Sequence, residues 1–207
     1  ADRRIDRQVA RTHSRPLASG ELRTSTALVT LACLLAVSAG LLTLLPPLAW
    51  ALSPVALALA AGYPLAKRVL ALPQAILGMA FGWGAVMAWA SVRQQLELAT
   101  WAVFGGTVCW AIAYDTIYAI QDRDDDRRIG INSSALFFGR SAWVAVLVCE
   151  AGFLACLAAA GCLTGSGPSF YAVLLGVGVF LTRQALRVRS ITDADEAFAL
   201  FAQHVWV

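Results

Sequence analysis

The sequence predicts an all-α membrane protein, a multi-span bundle of transmembrane helices. Three observations lead there. Hydrophobic residues make up 59% of the 207 positions and charged residues only 14%, where a soluble domain carries about 25% charged residues. Mean hydropathy is +0.67, more apolar surface than a soluble fold of this size can hide from water. The apolar runs are far longer than barrel strands need and show no alternation. Disorder is excluded by the same composition and by a net charge of only +3. The five cysteines (Cys33, Cys109, Cys149, Cys156 and Cys162) are scattered through apolar runs without a C-x-x-C pair. They read as small buried hydrophobes, not as a disulfide framework.

A helix needs about 20 mainly apolar residues to cross the hydrocarbon core. On that measure spans are expected at roughly 24–45, 48–63, 74–91, 97–119, 142–163 and 169–187, with another beginning near 195. Pro46-Pro47 and Pro64 bracket the second and make it short. Gly62, Gly78, Gly82 and Gly84 point to close helix packing or local unwinding. The spans form a single transmembrane domain, 1–207, without a linker or an internal repeat. Both ends are expected to be cut, because the chain opens at Ala1-Asp2 without Met and stops soon after an apolar stretch begins at Ala197.

Orientation follows from the basic residues. Segments 1–23, 64–73, 120–141 and 183–196 hold fifteen of the sixteen, and the alternate connections hold only Arg93. This is the positive-inside pattern, which places those four segments on the cytoplasmic side.

Two acidic clusters fall on that side, Asp2-Arg3-Arg4-Ile5-Asp6 and Asp122-Arg123-Asp124-Asp125-Asp126. Each contains Asp-x-x-x-Asp, which on a helix sets two carboxylates one turn apart on one face. Like charges so placed repel, and a divalent cation removes the conflict. Mg²⁺ takes a few carboxylate oxygens, several waters and substrate phosphates. A solvated acidic loop is the bland alternative, and the position of both clusters at membrane-helix ends argues against it. Between them lies Tyr63-Pro64-Leu65-Ala66-Lys67-Arg68. Its cation pair is either a topology anchor or the partner of an anionic diphosphate. Asp115, seven residues before Asp122, lies on roughly the same helix face and is expected to look into the same cavity. Asp124 and Asp125 lack the i, i+4 relation and are expected to matter less.

These blocks resemble the UbiA-type intramembrane aromatic prenyltransferases, and among them the 4-hydroxybenzoate polyprenyltransferase branch. Asp2 and Asp6 match the last two positions of the family's Asn-Asp-x-x-Asp-x-x-x-Asp, and Arg15-Pro16-Leu17-Ala18-Ser19-Gly20 follows in the family's manner. Tyr63 and Lys67 match its Tyr-x-x-x-Lys. Leu72-Pro73-Gln74 through Gly82-Trp83 is similar to the 4-hydroxybenzoate branch, as is Tyr114-Asp115-Thr116-Ile117-Tyr118-Ala119 running on to Asp126 and Ile129-Gly130-Ile131. The leading Asn-Asp would precede Ala1. The family's nine helices imply that the first two and most of the last lie outside this sequence.

The resemblance implies transfer of a polyprenyl group from its diphosphate to 4-hydroxybenzoate, ortho to the hydroxyl, in ubiquinone synthesis. Asp2, Asp6, Asp122 and Asp126 would hold Mg²⁺, with Arg3, Lys67 and Arg68 on the diphosphate. Tyr63, Asp115, Tyr114 and Tyr118 would lie along the cavity. The substrates and the lipid bilayer are the expected partners, and nucleic acid is not. The expected location is a bacterial inner membrane, with the site on the cytoplasmic side. A sister enzyme using a homogentisate, naphthoate or haem acceptor is the nearest rival. A cation transporter would place its acids near the bilayer midplane and fits less well.

Overall fold

The computed structural model describes residues 3–8, 12–191 and 193–207, the side chains of Arg4, Ile5, Lys67 and Val205 apart. Its helices in chain order are α1 (Arg3–Asp6), α2 (Pro16–Ser19), α3 (Thr24–Leu42), α4 (Pro47–Val69), α5 (Gln74–Arg93) and α6 (Leu98–Gln121). They continue as α7 (Arg123–Ile129), α8 (Ser134–Phe138), α9 (Ala142–Thr164), α10 (Pro168–Val188) and α11 (Ala194–Gln203). Six segments are long and apolar enough to cross a membrane: Thr24–Leu42, Pro47–Ala66, Gln74–Arg93, Leu98–Gln121, Ser134–Thr164 and Pro168–Val188. No strand occurs among the described residues.

The long helices pack in a row from α4 through α5, α6 and α9 to α10, with α6 at the centre and α11 laid against it. Helix α5 buries Gln74, Gly78, Gly82, Val86 and Ala90, a stripe recurring every fourth residue. Two glycines in that stripe let α6 approach closely. A methyl at Gly78 would sit 2.9 Å from the Val108 carbonyl oxygen, and one at Gly82 would sit 2.8 Å from the Phe104 ring. Between α6 and α9 the cysteines fill the same kind of contact, Cys156 over Gly106 and Cys109 over Gly152. Without a hydrophobic drive between helices in lipid, such close packing is what holds them together. No residue of α3 is buried, and its exposed Leu28, Leu31, Leu34 and Leu41 suit contact with lipid.

Helix α4 differs from the sequence expectation. It runs on to Val69 through Pro54 and Pro64 instead of ending at 63. Pro54 has no N–H to give the Trp50 carbonyl, and the Ser53 hydroxyl donates to that oxygen at 2.9 Å instead. The Trp83 indole then ties α5 to α4 by donating to the Leu52 carbonyl at 3.0 Å.

At the start of α6, Glu97 and Thr100 form a reciprocal capping box. The Arg93 guanidinium, 3.0 Å away, and then the Gln95 amide, 2.6 Å away, hold the Glu97 carboxyl below its usual range. On the other side of the membrane α6 ends at Gln121, and the chain re-enters helix as α7 directly after Asp122. Gly130, at φ +75°, stops α7 in a left-handed conformation open to glycine at little cost.

Candidate functional site

The turn between α6 and α7 builds the acidic site. Although the helix breaks at Asp122, the Asp126 N–H still donates to the Asp122 carbonyl at 2.8 Å. The two carboxylates therefore keep the one-turn relation that the spacing predicts. Asp122 and Asp126 line one cavity of about 110 Å³ together with Asp115 and Tyr118 of α6 and Tyr63 of α4. Five of the expected residues, Tyr63 on α4 and the other four between 115 and 126, are thus brought to one place.

Three lining groups were not foreseen: Gln74 at the start of α5, and Asn132 and Ser133 after Gly130. The reversal at Gly130 folds residues 131–133 back over the cavity. Gln74, only 3% exposed, accepts the Ser134 N–H through Oε1 at 3.0 Å. The Thr116 hydroxyl donates to the Ser134 hydroxyl at 2.8 Å. These two bonds fix the returning chain to α5 and α6. Gln74→Leu would orphan a buried N–H, at about 1–3 kcal/mol, and thermal unfolding of the purified variant should register that loss. A glutamine opening an apolar span, and a run of Asn-Ser-Ser after a glycine, were the signals available in the sequence.

Asp2 lies outside the described residues, as does the Lys67 side chain. Asp6 is not among the residues lining this cavity, and its carboxylate accepts from Arg15 at 3.1 Å. Arg3 is held by the protein: Nε donates to the Leu17 carbonyl at 2.9 Å and Nη1 to the Thr24 hydroxyl at 3.2 Å. With Arg7 donating to the Ala18 carbonyl at 2.7 Å, it closes the opening segment onto α2 and α3. Arg68 is exposed near the end of α4. Tyr114 departs from expectation: it lies one turn from Tyr118 on the same face of α6, but it is not among the residues lining this cavity, and its ring packs against Trp110, Phe201 and His204.

One contact links the two acidic segments. Arg128 of α7 donates through Nη2 to the Gln8 carbonyl at 3.2 Å and to Asp125 at 2.8 Å. Gln8 is two residues from Asp6, so the first cluster's segment is tethered to the helix that carries the second.

The cavity's polar lining is carboxylate, phenol, amide and hydroxyl, without sulfur or imidazole among the described residues. Such hard oxygen donors suit Mg²⁺. Among the described residues no three His, Cys, Asp or Glu side chains group closely enough to hold a metal by themselves. An ion held by Asp122 and Asp126 would have further positions for water and phosphate oxygens, as Mg²⁺ prefers.

The chain is similar to known proteins over its whole length. The family model described as UbiA prenyltransferase family matches residues 1–206. The chain is 46% identical over 209 residues to a 4-hydroxybenzoate octaprenyltransferase from Methylobacillus flagellatus, covering 100% of this chain and 70% of that protein. It is 41% identical over 207 residues to the protein of the same name from Serratia proteamaculans, covering 100% of this chain and 71% of that one. Among solved structures it resembles the apo structure of a UbiA homolog from Aeropyrum pernix K1, with a TM-score of 0.80 and 29% identity. That match covers 97% of this chain and 76% of the other.

Proposed function

The chain belongs to the UbiA prenyltransferase family, and from that premise we propose that it transfers a polyprenyl group from polyprenyl diphosphate to 4-hydroxybenzoate. The products are 3-polyprenyl-4-hydroxybenzoate, a ubiquinone precursor, and diphosphate. One observation carries the proposal: Tyr63, Asp115, Tyr118, Asp122 and Asp126 meet in one cavity at the end of a bundle of apolar helices. The chain is an integral membrane protein, so the isoprenoid tail can stay in an apolar phase while its diphosphate reaches polar groups.

Asp122 and Asp126 are the metal-holding pair in this account, joined by Asp2 and Asp6 of the opening segment. Bound Mg²⁺ supplies charge neutralisation that makes diphosphate a better leaving group. Lys67 and Arg68, one helical turn beyond Tyr63, and Arg3 add positive charge for the remaining phosphate oxygens. The allylic C–O bond breaks, the ring carbon ortho to the hydroxyl forms the new C–C bond, and the ring proton leaves. Asp115, two turns deeper than Asp122 along α6, and Tyr63 and Tyr118 border the place where this occurs. The surrounding apolar helices keep water from the allylic cation.

The acceptor is tested by offering membranes carrying the complete gene product 4-hydroxybenzoate, homogentisate or a dihydroxynaphthoate, each with polyprenyl diphosphate and Mg²⁺. Prenylation of 4-hydroxybenzoate alone is expected, and preferential prenylation of either rival would transfer the assignment to a sister enzyme. The site is assigned to the cytoplasmic face of a bacterial inner membrane on the distribution of basic residues. Reporter fusions after Gly20, Leu70 and Arg140 should report cytoplasm and one after Ser166 the opposite side. Reversal at two of them would overturn the orientation.

A further inference from the structure

A second polar cluster lies inside the bundle, apart from the acidic cavity. Glu150, in the first half of α9, is 1% exposed, and His204, directly after α11, is 5% exposed. Glu150 Oε1 stands 3.8 Å from His204 Nε2. Both carboxylate oxygens and both ring nitrogens are enclosed and make no hydrogen bond among the described residues. Gln184 of α10, equally enclosed, donates through Nε2 to the Leu200 carbonyl at 3.4 Å and to Gln203 Oε1 at 3.3 Å. The last turn of α11 is therefore gripped from two helices by polar groups.

Stability alone does not account for this choice. An acid and an imidazole taken out of water are costly, and apolar residues of similar volume often serve as well or better. What a polar pair adds is register, because a leucine contact tolerates sliding and a carboxylate–imidazole contact does not. Register matters where α11 packs against α6. Phe201 precedes His204 by three residues and so lies near it on the helix surface. Its ring stands 4.8 Å from Tyr118 and 5.6 Å from Tyr114. Tyr118 in turn lines the acidic cavity.

We propose that Glu150 and His204 are positioning residues for the reaction: their contact seats α11 so that Phe201 holds Tyr118 in the wall of the acidic cavity. Neither touches a reactant. The inference rests on the prenyltransferase reading for its kinetic consequence, but not for its structural one.

Both consequences can be measured on membrane-embedded complete protein. Glu150→Leu, His204→Leu and Phe201→Ala should each raise the KM for polyprenyl diphosphate by about 5- to 10-fold per folded enzyme, within the range of coupling between contacting residues. Glu150→Leu combined with Phe201→Ala should be no worse than the stronger single change. Glu150→Gln, which keeps a polar oxygen facing the imidazole at nearly the same side-chain size, should stay within about twofold of the parent. Amide exchange over residues 114–122 should quicken in the Leu variants and in Phe201→Ala, and stay at the parental rate in Glu150→Gln. A merely structural pair would lower the amount of folded protein and leave KM and this local exchange unchanged, which overturns the inference. Multiplicative effects of Glu150→Leu and Phe201→Ala would overturn it as well. If the Leu variants do not fold, Phe201→Ala decides: unchanged KM and exchange there also overturn it. Should the unaltered protein transfer no prenyl group while exchange responds as described, the positioning contact stands and the assigned reaction falls.

Discussion

Asp122→Asn or Asp126→Asn is expected to lower prenyl transfer by about 10²–10³-fold, the scale of losing one preorganised electrostatic contact with a transition state. Asn keeps the size of Asp, so insertion and folding should be unchanged. It removes the charge that attracts a divalent cation and leaves one carbonyl oxygen where there were two carboxylate oxygens. Both residues line the same cavity, one helical turn apart, so either change should be felt, and excess Mg²⁺ should restore part of the activity. Asp124→Asn is the control. Its side chain is 95% exposed and lies 3.6 Å from Arg127, a surface pair of the kind that contributes little. Assays of membranes with matched amounts of inserted protein check all three, and parental activity in both cavity variants would remove the site from the chemistry.

The second large effect concerns packing. Gly78→Val should destabilise the protein by about 1–3 kcal/mol, the usual cost of forcing bulk into a filled interior. A Cβ there would meet the Val108 carbonyl oxygen at 2.9 Å and its Cα at 3.0 Å. Those are backbone atoms, so no rotamer change relieves the clash and α5 must move off α6. Gln74 sits one turn earlier on the same buried stripe and lines the cavity, so prenyl transfer should fall with stability. Gly84→Val should be mild by contrast, because nothing lies within 4 Å of a Cβ at that position. Thermal unfolding in detergent, followed beside activity, distinguishes the two.

The helical class was legible because a span must satisfy its own backbone and stay apolar for about 20 residues. Helix α4 was harder, since Pro64 reads as a boundary and the structure carries the helix through it. Asp115, Asp122 and Asp126 were legible from i, i+4 and i+7 spacing, which geometry converts directly into a shared face, and Tyr63 from its match to the family's Tyr-x-x-x-Lys. Gln74, Asn132 and Ser133 were not, because their place in the wall depends on the reversal at Gly130 and on bonds between distant segments. Arg3 was legible only as a charge, because its hydrogen bonds to the Leu17 carbonyl and the Thr24 hydroxyl depend on how the opening segment folds onto α2 and α3. Tyr114 was not legible in the same way: it shares the face of Tyr118 one turn along α6, and only the packing of its ring against Trp110, Phe201 and His204 keeps it out of the cavity wall.

The most direct test follows formation of 3-polyprenyl-4-hydroxybenzoate by membranes carrying the complete gene product, as Mg²⁺ is removed by chelation and returned. Product should disappear with the chelator, return with Mg²⁺, and fail to return to the parental level in Asp122→Asn membranes at the same Mg²⁺ concentration. Undiminished, chelator-insensitive transfer by both parent and variant would contradict the metal-site assignment, because the acidic cavity would then have no part in releasing the diphosphate.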